Sequence, residues 1–430
     1  KSRQARWLPT WNVSGSWNAH EENWWAPTFG KAWTYASLKA SYSLTADRGP
    51  ASNSLAVFQS FTPWRPSTSA NESAIILAAL ENSELTYEKK HELNIGVALG
   101  FVDNRINVEF DWYRRNNFDL IGYTQTMGVG GVTTKLANDA TMESTGCEFT
   151  ISTTNIKTKD FKWTTDWIFG WAENTITKLD SRSQVYSLVN GVGRTEGRPI
   201  GALYSIPFAG LTEEGLPTFY IDAEHTQVVG PGNYAAIYFQ EYENIDYLKY
   251  EGTIDPKITG SFGNTFSWKG LKLNVFFTYS FGNVLRLDNL CPVYSSDYSD
   301  LTASMKEMKN RWMVPGDENV TTIPSIPTVR QMREIDALSN AYSAYNYSTE
   351  RVAKGDFIRL KELSLAYDLP KKYFEGQNAV SSFGVKLSAT NLWLAYADKK
   401  LNGRDPEYYN TGGVSSPVPR QFTLTVKLGF

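Results

Sequence analysis

Three histidines, His20, His91 and His225, are the first side chains whose chemistry has to be placed. A zinc site needs cysteine or histidine partners at short spacing, and none of the three has one. A Ser-His-Asp hydrolase, the main enzymatic alternative, needs a histidine within reach of a serine and an acid. His91 opens a strand among Asn and Glu residues, while His20 and His225 fall in turns or loops. No catalytic residue, metal ligand or cofactor is expected. Gly128-Val-Gly-Gly131 has the glycine content of a phosphate loop, but no strand-to-helix junction surrounds it, so it reads as loop punctuation. Cys147 and Cys291 are too far apart in sequence to argue for a disulfide. Cys147 sits beside Phe149 and Ile151 in an alternating stretch and reads as a small apolar wall residue.

Aromatic side chains in long polar connections offer binding chemistry instead. Trp64 with Arg65, Tyr123, Tyr204, Tyr234, Tyr238, Tyr294, Tyr298, Tyr342 and Tyr345 lie there, with Asp297 and Asp300 nearby. Aromatic faces with polar neighbours suit stacking on sugar rings and suit gripping peptides equally. The competing reading for any one of them is that it packs the loops together. Trp64, Arg65, Tyr123, Tyr234, Tyr238, Tyr294 and Tyr298 are the substrate-binding candidates.

The elements that must carry these loops follow from a period of two. In the last strand Phe422, Leu424, Val426, Leu428 and Phe430 share one face, and Gln421, Thr423, Thr425, Lys427 and Gly429 the other. Leu93, Ile95, Val97, Leu99 and Phe101 alternate likewise, Asp103-Asn104 makes a tight turn, and Ile106, Val108, Phe110 and Trp112 return. Glu92, Asn94, Asn107, Glu109 and Asp111 on the opposite face would make a poor soluble core but a reasonable wet lumen.

Strands are expected at 7–17 and 38–44. Pairs follow at 93–101 with 106–112, 144–155 with 160–174, 257–267 with 271–281, and 355–368 with 383–394, before the last strand at 420–430. Residues 46–90 and 115–143 read as long connections, with a helical turn at Ile75–Leu80. Further long connections are 175–256, 282–354 and 395–419. About eleven strands with alternating short and long connections spell an all-β fold, an antiparallel transmembrane β-barrel with short periplasmic turns and long extracellular loops.

Composition agrees. Aromatics are 14% of 430 residues, enough for girdles at two membrane interfaces. The net charge of −3 gives no electrostatic case for nucleic acid. The longest apolar run, Ile75–Leu80, is far short of the ~18 residues of a membrane helix. An odd strand count and a first strand starting at the outer face imply that a similar amount of barrel lies upstream. The basic, polar Lys1-Ser-Arg-Gln-Ala-Arg6 would then fall in or beside an outer loop, and residues 1–430 are not expected to fold alone.

Several stretches together resemble the SusC/RagA-type TonB-dependent outer-membrane transporters of Bacteroidetes. Leu85-Thr-Tyr-Glu-Lys-Lys-His-Glu-Leu-Asn-Ile-Gly96, Asn104-Arg-Ile-Asn107 and Asp111-Trp-Tyr113 resemble a mid-barrel hairpin. Asp255-Pro256, Gly260-Ser-Phe-Gly-Asn-Thr-Phe266 and Lys269-Gly270 resemble a later one. Asn310-Arg-Trp312 with Pro315-Gly-Asp317 is similar to a loop signature. Asp356-Phe-Ile-Arg-Leu-Lys-Glu-Leu-Ser-Leu-Ala-Tyr367, Asn391-Leu392, Asp405-Pro-Glu407 and Pro419-Arg420 resemble the barrel's end.

The resemblance implies a barrel of about 22 strands, of which residues 1–430 would be the C-terminal half, without plug or TonB-contacting segment. It implies import of an oligomeric nutrient, oligosaccharide first and oligopeptide next, with a SusD-like lipoprotein lid and TonB as partners. Phe422, Leu424, Val426, Leu428 and Phe430 resemble the terminal signal read by the barrel-insertion machinery. The alternative is a structural or assembly barrel that has lost transport.

Overall fold

The computed structural model describes residues 7–30, 32–49, 54–62, 73–128, 131–291, 306–370, 373, 381–409 and 419–430. In chain order the strands of the first half are β1 (Trp11–Trp17), β2 (Trp33–Asp47), β3 (Val57–Phe61), β4 (Ala74–Ala79), β5 (Glu88–Phe101), β6 (Ile106–Gln125), β7 (Thr134–Lys157) and β8 (Phe161–Leu179). Short strands β9 (Ala202–Ser205), β10 (Phe208–Leu211), β11 (Pro217–Tyr220), β12 (Val228–Val229) and β13 (Lys249–Thr253) follow. The remainder are β14 (Ile258–Trp268), β15 (Leu271–Phe281), β16 (Val284–Arg286), β17 (Val352–Lys354), β18 (Phe357–Asp368), β19 (Ser382–Ala397) and β20 (Gln421–Gly429). One antiparallel sheet takes eleven of them in the order β1-β2-β5-β6-β7-β8-β14-β15-β18-β19-β20. Consecutive wall strands are therefore neighbours throughout, as in a meander.

The chain divides into two compact units, and β7 and β8 contribute residues to both. In the first (residues 1–150, 171–182 and 195–199) register lines up like with like. Trp17 pairs with Leu38, Leu38 with Val97, and Val97 with Phe110. One residue along, Ser16 pairs with Lys39, Lys39 with Gly96, and Gly96 with Asp111. The apolar row is bare even so: Leu38 is 43% and Phe110 40% exposed. A wall whose greasy side faces outward is stable only against lipid.

The second unit (151–170, 183–194 and 200–430) repeats the arrangement. Leu424, Leu387, Leu365, Leu273 and Phe266 form one row across five strands. Thr425, Lys386, Ala366, Lys272 and Ser267 form the adjacent polar row.

Beyond the wall the same unit builds an ordinary core. Two connections, 180–257 and 282–356, supply it jointly: Val185, Leu188, Val189, Ile206, Leu216, Phe219, Tyr234, Tyr342 and Tyr345 are at most 1% exposed. Each such side chain stabilises by about 1.5–3 kcal/mol on burial. Helices α1 (Trp25–Thr28), α2 (Val185–Val189), α3 (Val329–Glu334) and α4 (Leu338–Asn346) are short, and α2 and α4 belong to this core. A capping box between Thr328 and Gln331 starts α3. At the junction, Gly282 takes φ +87°, a conformation suited to glycine, and its N–H donates to Asp356 Oδ1 at 2.7 Å.

Two expectations are corrected. Ile75–Leu80 is not a helical turn: β4 pairs with β3, Ile75 opposite Ser60 and Leu77 opposite Phe58. β-branched Ile75 and Ile76 favour that extended form. Most of 115–143 is wall, because Arg115, Asn116 and Asn117 on β6 still pair with Glu92, His91 and Lys90 on β5. Only 126–133 connects β6 to β7.

Candidate functional site

The polar face of the second unit offers the first candidate. Thr265, Lys272, Asn274, Ser364, Asp368, Lys386 and Lys427 line a cavity of about 410 Å³ near the short-turn rim. Strand alternation alone places them there. Lys386 Nζ binds Glu362 Oε1 at 3.1 Å, but Lys272 and Lys427 have no ion-pair partner among the described residues. In the first unit Ser14, Ser16, Lys39, Ser41, Asn94 and Asp111 line a cavity of about 450 Å³. Each wall thus presents hydrogen-bonding and charged groups on its polar face.

Guanidinium groups tie the long connections to one another and, at Arg359, to the wall. Arg359, on β18 and 3% exposed, pairs with Asp405 and, at 3.0 Å, with Glu407. Lys361, two residues on, reaches Glu407 at 3.3 Å. Arg351 pairs with Glu307 at 2.6 Å and donates to Asp288 O at 2.7 Å. Arg404 pairs with Asp288 and donates to the Tyr409 hydroxyl at 2.9 Å. Arg286 donates to Ser348 O at 2.9 Å, to Val189 O at 3.2 Å and to Tyr204 O. Burial pulls its pKa down to about 10, still far above neutral, so it remains a cation. Charges this deep persist only where paired or hydrogen-bonded.

The aromatic candidates scatter. Tyr123 (71% exposed), which stands on β6 and not in a connection, and Tyr238 (56%) are exposed. Tyr234 does not: it is fully buried, its hydroxyl donates to Pro217 O at 2.9 Å, and it serves the loop core rather than a surface. Tyr342 is buried likewise, with its hydroxyl on Ser325 O at 2.7 Å. Trp64, Arg65, Tyr294 and Tyr298 lie outside the described residues. Phe422, Leu424, Val426 and Leu428 are 53–67% exposed on the outward face, and Phe430 is 89% exposed.

Two features escaped the sequence reading. Tyr220 and His225 stack at 5.0 Å with an interplanar angle of 22°, brought together by the turn between β11 and β12. The stretch 312–318 is a pinned turn: Asp317 Oδ2 accepts from Met313 N at 3.0 Å and Val314 N at 3.1 Å, and Trp312 Nε1 donates to Glu318 Oε2 at 3.1 Å. Its own backbone N–H and the Trp312 indole hold the Glu318 carboxyl below the usual range. Trp312 lies over Gly215, where a Cβ would fall within 2.4 Å of the ring. The turn presents Met313 and Val314 to solvent, 60% and 58% exposed. The Trp312–Pro315-Gly-Asp317 signature was visible in sequence, but its self-capping was not.

His20 Nδ1 lies 3.0 Å from Ala36 O, and His91 Nδ1 lies 2.9 Å from the Tyr42 hydroxyl. Among the described residues no group of three His, Cys, Asp or Glu is placed to hold a metal. No described helix is long and apolar enough to cross a membrane. Cys291 is 2% exposed, and burial pushes its thiol up to about 12. The thiolate is the reactive form. A maleimide should therefore leave Cys291 unlabelled in the folded protein and label it after denaturation. Rapid labelling of the native state, located by peptide mapping, would show that this core is open.

No family profile matches the chain. Among curated proteins it is 26% identical over 466 residues to the TonB-dependent receptor P3 of Formosa agariphila, covering 97% of this chain and 43% of that protein. TonB-dependent receptor P26 of the same organism is similar at 26% identity, over 97% of this chain and 42% of its own length. TonB-dependent receptor SusC of Bacteroides thetaiotaomicron is 34% identical over 99 residues, 23% of this chain and 10% of SusC. The chain thus spans less than half the length of the curated relatives it matches over nearly all its residues. Two solved structures share the fold. The RagAB peptide transporter matches with a TM-score of 0.72 at 23% identity, over 98% of this chain and 43% of that one. The RagAB peptide importer in its closed-closed state matches with a TM-score of 0.74 at 23% identity, over 100% and 44%. In sequence the chain is therefore similar to TonB-dependent receptors along nearly its whole length and to SusC over 99 residues, and in fold it is similar to the outer-membrane β-barrel wall and loops of the RagAB transporter.

Proposed function

We propose that this chain supplies wall and loops to a TonB-dependent importer of an oligomeric nutrient, and that a SusD-like surface lipoprotein works with it. The observation that carries this reading is the pairing of two opposite surfaces in the second unit. A polar, lysine-bearing wall face runs down one side, and a buried loop core carries exposed aromatic and apolar side chains. The carboxylate-pinned turn with Met313 and Val314, together with Val320 (89% exposed) and Val329 (55%), is the surface we assign to the lipoprotein. Exposed apolar clusters of this kind mark protein contacts. TonB would act through a segment outside residues 1–430. The outer edges of β1 and β20 would pair with further wall strands, since open edges are not tolerated in lipid.

The cargo is an oligosaccharide or an oligopeptide. Tyr238 and the Tyr220–His225 stack suit sugar rings, while the peptide transport named for the solved RagAB structures favours the second. Cells lacking the gene and cells regaining it should differ in uptake of fluorescent oligomers of one class. Tyr238→Ala should lower that uptake about two- to tenfold at unchanged surface level, as expected for an aromatic contact of ~0.5–1.5 kcal/mol. Unchanged uptake of every glycan and peptide offered would instead favour a barrel kept for structure alone.

A further inference from the structure

Near the short-turn rim of the second unit, the apolar side of the wall carries a group of joined polar side chains. Asn264 shares its face of β14 with Phe262, Phe266 and Trp268, and it pairs with Val275. Its Oδ1 accepts from Trp163 Nε1 at 2.9 Å and from Thr165 Oγ1 at 2.8 Å. Asn155 Nδ2 donates to Thr165 Oγ1 at 2.7 Å, and Asn155 Oδ1 accepts from Thr153 Oγ1 at 2.8 Å. The network crosses β7, β8 and β14 on the lipid side, where unsatisfied polar groups are costly. It also leaves a donor over: Asn264 Nδ2 has no acceptor among the described residues.

Depth gives that donor a meaning. The Trp163 ring stacks on Phe266 at 5.5 Å and 22°, and Trp268, at the short-turn rim, is 55% exposed. Asn264 stands four residues from Trp268, about 10 Å deeper along a tilted strand. Beyond the rings two short turns touch, with Lys269 N donating to Asp160 O at 3.1 Å. Lys269 Nζ lies 3.9 Å from Asp160 Oδ2, and exposed Lys157 and Lys159 sit on the neighbouring hairpin without an ion-pair partner among the described residues. From rim to interior the surface runs cations, indole rings, amide donor, apolar side chains. A glycerophospholipid runs in the same order: phosphate, glycerol, ester carbonyl, acyl chain.

We propose that this surface binds one anionic glycerophospholipid of the leaflet at the short-turn side. Lys157, Lys159 and Lys269 take the phosphate and headgroup charge, with Asp160 offsetting one of them. Asn264 Nδ2 takes an ester carbonyl, and an acyl chain lies along Phe262 and Val275.

The test is native mass spectrometry of the full-length protein in detergent, titrated separately with phosphatidylglycerol and with phosphatidylethanolamine of the same chains. Phosphatidylglycerol should be retained preferentially. K157Q/K159Q/K269Q should lose that preference, by about fivefold per unneutralised lysine. Asn264→Leu should weaken retention of both lipids, because the ester is common to them. Heat-modifiable migration on gels confirms that each variant is folded, and the lysine variant stands alone if Asn264→Leu is not. Equal retention of the two lipids by the unaltered protein would overturn the proposal. So would undiminished preference in the lysine variant, or a tightly co-purifying protein that excludes phosphatidylglycerol from the site.

Discussion

Arg359→Leu is expected to detach the connection after β19 from the wall and to be among the most damaging single changes in the chain. The substitution leaves Asp405, whose side chain is 8% exposed, buried without its cation, and Glu407 with Lys361 alone. Removing one member of a buried pair costs about 3–5 kcal/mol, mostly as the penalty on the charge left behind. Surface level should fall, and limited proteolysis of the surviving protein should cut within 398–409. Adding Asp405→Asn and Glu407→Gln should recover much of the loss, because the stranded charges go with the cation. A variant as abundant and as protease-resistant as the parent would show that the ion cluster is incidental.

The second large effect tests which side of the wall meets lipid. Leu424 lies in the middle of the last strand and pairs with Leu387, itself opposite Leu365. Leu424→Arg places a cation at mid-band, where the cost is about 2–4 kcal/mol. Thr425→Arg, one residue on, points to the polar side near Lys386 and should cost far less. Refolding yield into vesicles and surface level in cells measure both. Equal behaviour of the pair would refute the assignment of faces. Deleting Phe430, 89% exposed at the end of the same strand, should lower surface level if the terminal residue is part of what the insertion machinery reads.

The wall was legible because its rule is local. Alternation from Leu93 to Phe101 and from Ile258 to Phe281 needs no knowledge of distant residues, and strand limits there fell within a few residues of those seen. The reading faltered where polar residues occupy both faces. Arg114, Arg115, Asn116 and Asn117 carry no period, yet their backbone remains paired with β5. The loop core was illegible for another reason. Tyr234 and Tyr238 are four residues apart in similar surroundings, but one is buried and the other bare. What separates them is contact with segments a hundred residues away, including the Asn340 side chain, which donates to Ile237 O at 3.4 Å. Arg359 stood in a recognised motif, and only the fold shows that it meets Asp405.

Gly282 marks a line across which the meaning of a hydrophobic residue reverses. On β15 up to Phe281, leucines and phenylalanines of the outward row are held by hydrocarbon outside the protein. From Leu285, 5% exposed, they are held by protein. A charge placed on the outward row of the wall is judged by the membrane, whereas the same charge at Leu285 or Leu287 is judged by neighbouring side chains. Extraction into detergent removes the first judge and leaves the second untouched. The two halves of one strand-to-loop passage therefore answer to different solvents, and a variant that fails in the cell but survives in micelles locates its fault on the wall side of residue 282.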